Sequence, residues 1–292
     1  MRRRAAAAGA ILCAALLLAA CASASPHAKA PTDAPADVAE TPEAPSLTGA
    51  DIQAWIANAE WSFADRGLEE PITIVFEDGK ASDDVMRVYE IGVGVESDAD
   101  GDGVVDLAVP VTQLDGNGFQ ELWYVWLGKD IDADAVAEQV WYPIARTVRC
   151  GDVVHSVEGT DGGFLIDQTL WMPHTDQGRD CAGGGTGTQT REIAIIDVDG
   201  VAYPVQTAPV PAWGGVCPRS EWLDGIIDDT VDGRVAPPAS APQAIAPGDP
   251  VGLYELPPAP LLTADGARFF GFQGDLPGEA GEQQVLMHCA FG

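Results

Sequence analysis

The chain predicts a mainly β fold of the α+β class, with antiparallel sheets and one or two short helices. Three observations carry that expectation. From residue 71 onward, β-rich apolar runs are separated by Asp-Gly and Asn-Gly pairs. A helical period occurs near the start of the ordered part, and a proline-rich stretch at 236–260 sets off two or three further strands. Asp-Gly and Asn-Gly reach positive φ at little cost, so they favour the tight turns that join antiparallel strands.

Order is expected from Leu47. Thr48-Gly49-Ala50-Asp51 has the form of an N-cap with an acid at the third helical position. Ile52, Trp55, Ile56 and Ala59 then share one helical face, with Gly67 and Pro71 ending the segment. Residues 71–76 form a strand before the Asp78-Gly79 turn, and 87–95 form the next. Val104–Leu114 and Phe119–Leu127 flank Asp115-Gly116-Asn117-Gly118, a hairpin. Pro110 has no N–H to give a ladder, so an edge or a bulge is expected there. Asp132–Tyr142 reads as a second short helix. Glu192–Val198 and Val201–Gln206 bracket Asp199-Gly200 as a second hairpin. The main β-rich domain thus spans 47–207. Residues 208–292 hold the proline-rich segment and a small β subdomain, with strands around 267–273 and 283–291.

One loop carries chemistry. In Asp98-Ala99-Asp100-Gly101-Asp102-Gly103-Val104-Val105-Asp106, carboxylates at alternate positions converge when the chain turns tightly. Gly103 permits the turn, the Val104 carbonyl adds an oxygen, and Asp106 closes the shell. Hard oxygens in this number suit Ca²⁺, which takes about 6–8 of them at about 2.3–2.6 Å; zinc would want nitrogen or sulfur. A structural calcium loop outside the cell needs only modest affinity and would add about 1–3 kcal/mol by linkage. The alternative is an acidic surface turn in an acidic protein.

This stretch matches the first nine positions of an EF-hand loop, but Val109 stands where that motif has its closing glutamate. It resembles the calcium loops of FG-GAP repeats, in which DxDGDGxxDL leads straight into a strand. It is also similar to a group of uncharacterised bacterial secreted proteins that follow such a loop with a strand, a Gly-rich turn and an aromatic strand. The corresponding pieces here are Asp98–Asp106, Leu107–Leu114, Asp115–Gly118 and Phe119–Leu127, with Asn58–Trp61 and Phe76–Gly79 upstream. The likeness covers about residues 47–128 and implies calcium but no activity. The motif occurs once, which argues against a full propeller.

Composition limits the partners. The chain holds 15 Lys and Arg against 45 Asp and Glu, a formal charge of −30. Such a surface repels phosphate backbones, so no nucleic-acid partner is expected. Near the start, Arg2-Arg3-Arg4, an apolar run over 5–20 and Leu18-Ala19-Ala20-Cys21 read as a bacterial lipoprotein signal. Residues 1–20 are then a signal peptide, and 21–46 are lipidated Cys21 followed by a disordered Ala/Pro/acidic tether. The expected location is the extracytoplasmic face of the cell membrane, with the membrane contacted through lipid alone. An ordinary signal cut near Ala22-Ser23-Ala24 is the competing reading.

Cys150, Cys181, Cys217 and Cys289 remain, which in an oxidising compartment read as two disulfides with three pairings open. Proximity in sequence favours Cys150–Cys181 and Cys217–Cys289. A zinc tetrad from Cys150, His155, His174 and Cys181 is the minor alternative. Asp130, Asp132 and Asp134 read as a solvated helix start, and Gly183–Gly187 as a loop. Along the aromatic strand one alternating set must be buried; Tyr124 and Trp126 are candidate ligand-facing aromatics, with core packing the stronger reading. No GxSxG, HExxH or SxxK motif is found. The expected function is a non-enzymatic binding or structural module meeting an unknown protein or envelope partner. The alternatives are a cell-surface hydrolase using carboxylates and a solute-binding lipoprotein.

Overall fold

The computed structural model describes residues 46–64, 71–129, 135–172, 176, 178–217, 232–246, 251–255, 269–274 and 288–292. The chain divides into residues 1–44 and 45–292, and all described residues lie in the second unit. In chain order its elements are α1 (Gly49–Ile56), β1 (Glu60–Phe63), β2 (Ile72–Val75), β3 (Lys80–Ser82), β4 (Val88–Ile91), β5 (Val95–Ser97), β6 (Asp106–Asp115), β7 (Gly118–Gly128), β8 (Ala137–Gln139), β9 (Ala145–Val148), β10 (Val153–Thr160), β11 (Gly163–Leu170), β12 (Gly187–Val198), β13 (Val201–Ala208), β14 (Ala212–Trp213), β15 (Gly233–Arg234), β16 (Gln243–Ile245), β17 (Val251–Glu255), β18 (Phe269–Gly274) and β19 (His288–Phe291). The fold is mainly β and its strand pairs are antiparallel, as expected.

β1 and β2 form a two-stranded ribbon. The first sheet runs β3-β4-β6-β7-β8, with β5 beside β6 and β9 beside β7; the second runs β10 to β14 in order; the third runs β16-β15-β19-β18-β17. The expected boundary at 207/208 falls at the end of β13, whose sheet continues into β14 through Val205 and Trp213.

Alternation along β6 and β7 builds two cores back to back. Leu107, Val109, Val111, Leu122, Tyr124 and Trp126 face α1 and the β1–β2 ribbon, where Ile52, Ile56, Trp61, Phe63 and Phe76 complete a cluster. Ala108, Val125 and Leu127 face the second sheet and pack with Phe164, Ile166, Ile193 and Ile195. β7 is therefore covered on both faces, which is why Leu122–Leu127 reads as an unbroken apolar run. Fully burying one such side chain contributes about 1.5–3 kcal/mol relative to exposure. A third cluster joins Tyr203 and Trp213 to Cys289 and Phe291.

The N-cap reading holds. Thr48 Oγ1 accepts the Asp51 N–H at 3.3 Å, while the Asp51 carboxylate accepts the Thr48 N–H at 3.0 Å. α1 stops at Ile56, short of the expected Gly67, because Trp61 and Phe63 already alternate inward from β1. The second helix is corrected: among the described residues of 132–142, Ala137–Gln139 is a strand that pairs with Trp126–Gly128. Pro110 sits neither at an edge nor in a bulge of its own strand. Its carbonyl accepts the Gly92 N–H at 2.8 Å, in the gap between β4 and β5. The missing donor faces that gap, and a Cβ on Gly92 would lie 2.7 Å from the Pro110 ring. β9, β10 and β11 were not anticipated, although Asp161-Gly162 marks the β10–β11 turn.

Candidate metal centre

The loop preceding β6 turns at Gly101 and Gly103, whose φ values of +77° and +86° lie in the region that favours glycine. Short hydrogen bonds hold it closed. Asp98 Oδ2 accepts the Gly103 N–H at 3.1 Å, Asp100 Oδ1 that of Asp102 at 3.1 Å, and Asp102 Oδ1 that of Val104 at 2.7 Å. One oxygen from each of Asp98, Asp100 and Asp106 lies within 4.8 Å of the others. Asp102, expected as a fourth ligand, is outside that triad and remains on the loop rim, and Val104 lies in the same turn.

Asp106 is the buried member. It is 1% exposed, and its two oxygens accept the Ala99 N–H at 2.7 Å and the Gly128 N–H at 2.9 Å. It thereby ties the loop to the end of β7. Gly128 is required by this approach, because a Cβ there would lie 2.2 Å from the Val105 carbonyl oxygen. Burial pushes the Asp106 carboxyl up to about 7, against its two backbone hydrogen bonds, and the charges of Asp100 and Asp102 push the same way. Asp100 is also raised, first by burial and then by Asp102 and Asp98. These carboxylates thus crowd one another with little cationic relief. Asp98 Oδ1 is buried with no hydrogen-bond partner.

The donor set fits a hard divalent cation. Three carboxylates converge, one oxygen is unclaimed, and every ligand atom at hand is oxygen. The backbone donors from Ala99 and Gly128 were not legible as part of the site. Each arrives from outside the acidic positions, one across the loop and one from the far strand of a hairpin.

The remaining candidates separate cleanly. Cys150 pairs with Cys181 and Cys217 with Cys289, so the favoured pairing is the one observed. This removes both sulfurs from the zinc alternative; His155 meets Thr169 Oγ1 at 2.6 Å, and His174 lies outside the described residues. Tyr124 and Trp126 are corrected as ligand-facing aromatics: they are 0% and 3% exposed. Their ring centroids lie 6.0 and 4.8 Å from that of Trp61, and the Tyr124 hydroxyl accepts the buried Ala64 N–H at 2.7 Å. Asp199 and Gly200 hold positive φ in the β12–β13 turn, as hairpin residues should. Cys21, the tether before residue 46, and Asp130–Asp134 lie outside the described residues. Among the described residues no helix is long and apolar enough to cross a membrane. No family model, curated protein or solved structure matches the chain.

Proposed function

We propose that this chain is an extracytoplasmic lipoprotein, anchored through Cys21, whose β-rich body is a non-enzymatic binding module stapled by calcium. Asp98, Asp100 and Asp106 would hold the ion, with Asp102 and the Val104 carbonyl in reach of the same turn. The observation that carries the calcium reading is Asp106, a buried carboxylate among carboxylates with a raised pKa. Calcium would supply the positive charge that lets Asp106 ionise while it keeps Ala99 and Gly128 in place. That would fix the start of β6 against the end of β7. Two disulfides agree with an oxidising compartment.

Thermal unfolding in calcium and then in EDTA tests the ion. Calcium should stabilise by about 1–3 kcal/mol, and Asp98→Asn should abolish the difference; an unchanged midpoint in wild type refutes it. The anchor is tested separately. Cys21→Ser should move the protein from the membrane fraction to the soluble exported fraction, and continued membrane retention would refute it.

A further inference from the structure

The turn between β3 and β4, Asp83–Arg87, is tied down more firmly than chain reversal requires. Asp83 Oδ1 accepts the N–H groups of Val85 at 3.1 Å and Arg87 at 3.0 Å. Its Oδ2 accepts Arg87 Nε at 2.5 Å and the Tyr89 hydroxyl at 3.0 Å. Tyr89 is fully buried, and its hydroxyl accepts Gln113 Nε2 at 3.1 Å, so the turn is fastened to the core beneath it. Within the turn, Met86 holds φ +66°, a left-handed conformation that side chains other than glycine, Asn and Asp seldom adopt.

What this framework presents is apolar. Met86 is 86% exposed and Val85 68%. Val88 follows directly and pairs across the sheet with Leu114, and both are about half exposed. A strained, immobilised turn that carries apolar side chains into solvent is a feature of contact sites. Methionine suits one because its unbranched, polarizable chain adapts to the surface it meets.

Charge selects the occupant. Exposed Asp84 adjoins Val85 and exposed Asp115 adjoins Leu114, on a chain of formal charge −30. A second copy would set these carboxylates against themselves, and an anionic lipid surface would repel them. An apolar groove edged with Lys or Arg is complementary in both respects. We infer that the Asp83–Arg87 turn, with Val88 and Leu114, is a docking knob for a protein partner offering such a basic-rimmed apolar groove. This deepens the binding-module reading and rests on it, but not on its calcium half. Asp106 and Leu114 stand at opposite ends of β6, about 27 Å apart at about 3.4 Å per residue.

The test is fluorescence anisotropy with the full chain and a labelled amphipathic peptide of Leu and Lys as the probe, at physiological salt, in calcium and in EDTA. Wild type should bind. The double variant Val85→Ser/Met86→Ser should bind at least tenfold more weakly, while Val93→Ser, equally exposed elsewhere, should leave affinity unchanged. Tyr89→Phe keeps every apolar side chain but removes one bond to Asp83, and should weaken binding about threefold. Equal binding by wild type and the double variant overturns the proposal. So does binding to phosphatidylcholine vesicles, or self-association in sedimentation, that the double variant abolishes, since either assigns the knob to lipid or to a second copy. Binding that persists without any calcium-dependent unfolding shift removes the calcium reading alone.

Discussion

Asp106, at the start of β6, and Asp176, in an irregular segment, are both buried aspartates that accept two or more hydrogen bonds, yet their pKa values are shifted in opposite directions. Asp176, fully buried, accepts the Met172 N–H at 2.7 Å, the Thr186 N–H at 2.9 Å and the Thr186 hydroxyl at 2.7 Å, with Arg179 Nε 3.6 Å away. Burial opposes its ionisation, but those bonds and the Arg179 charge win and hold its pKa below the ordinary value. At Asp106 burial is the largest influence and outweighs its two backbone donors, with the charges of Asp100 and Asp102 adding to it. The segment around Asp176 is completed by the chain's own groups. The loop around Asp106 lacks such a counter-charge, and the proposed cation would supply it. Two carboxylates with almost no exposed surface can therefore mark opposite things: burial prevails over two donors at Asp106, and three donors prevail over burial at Asp176.

The largest expected effect comes from the covalent tie beside Asp176. Cys150 and Cys181 are 31 residues apart in sequence, a loop whose closure is worth about 4 kcal/mol in the chain-entropy description. Cys150→Ser/Cys181→Ser should lower stability in denaturant melts by about that amount, equally in calcium and in EDTA. A loss confined to EDTA would mean that the two regions are one cooperative metal-dependent unit, and the contrast would fail.

Next come the aspartates themselves. Asp176→Asn leaves backbone donors facing a poorer acceptor and Arg179 without its counter-charge, and should cost about 2–3 kcal/mol with or without calcium. Asp106→Asn should behave differently. In EDTA it sets an amide NH2 against the Ala99 or Gly128 N–H, a cost of about 1–3 kcal/mol that relief of the crowded charge offsets in part, while in calcium it should forfeit the ion's contribution of about 1–3 kcal/mol as well. Similar losses for Asp106→Asn in both buffers would show that the cluster works by hydrogen bonding alone.

How much of this was legible in the sequence follows from the range of the interactions. The turn at Gly101 and Gly103, the Thr48–Asp51 cap and the Asp199-Gly200 hairpin are local, and their residues announce them. The burial of Tyr124 and Trp126 was half legible: alternation put them on one face with Leu122, but nothing in β7 said what covers that face. That cover comes from Ile52, Ile56, Trp61, Phe63 and Phe76, more than 45 residues upstream. The strand at Ala137–Gln139 was masked by the acid-rich run before it, which imitates a helix start. Asp106 was readable as an oxygen ligand, but not as a buried anchor, because Gly128 meets it only after β6 and β7 have paired. Asp83 and Asp176 were not singled out. Val85 and Arg87 or Met172 and Arg179 lie close to them in sequence, but Tyr89 and Thr186 are brought to them by the fold.

The pH slope is small per pH unit, and it separates the two aspartates most directly. A single proton can contribute at most about 1.4 kcal/mol per pH unit. The Asp176 pKa is lower folded than unfolded, so its stabilisation is complete above the unfolded value of about 4 and is lost as pH falls through the folded one. Asp106 is raised to about 7, so between about pH 4 and 7 the unfolded chain has released this proton while the folded chain retains it. In EDTA, stability should therefore decline across that window and level off above it. Asp106→Asn should flatten the decline, whereas Asp176→Asn should leave it intact and remove part of the acid-side loss instead. If Asp106 is a ligand of the proposed calcium, the ion competes with its proton, so the calcium-induced shift should grow from pH 5 to pH 8, with release of a proton on binding. A shift independent of pH would place the ion on Asp98, Asp100 and Asp102 alone. Asp106 would then be a carboxylic acid that braces the loop without ever serving as its ligand.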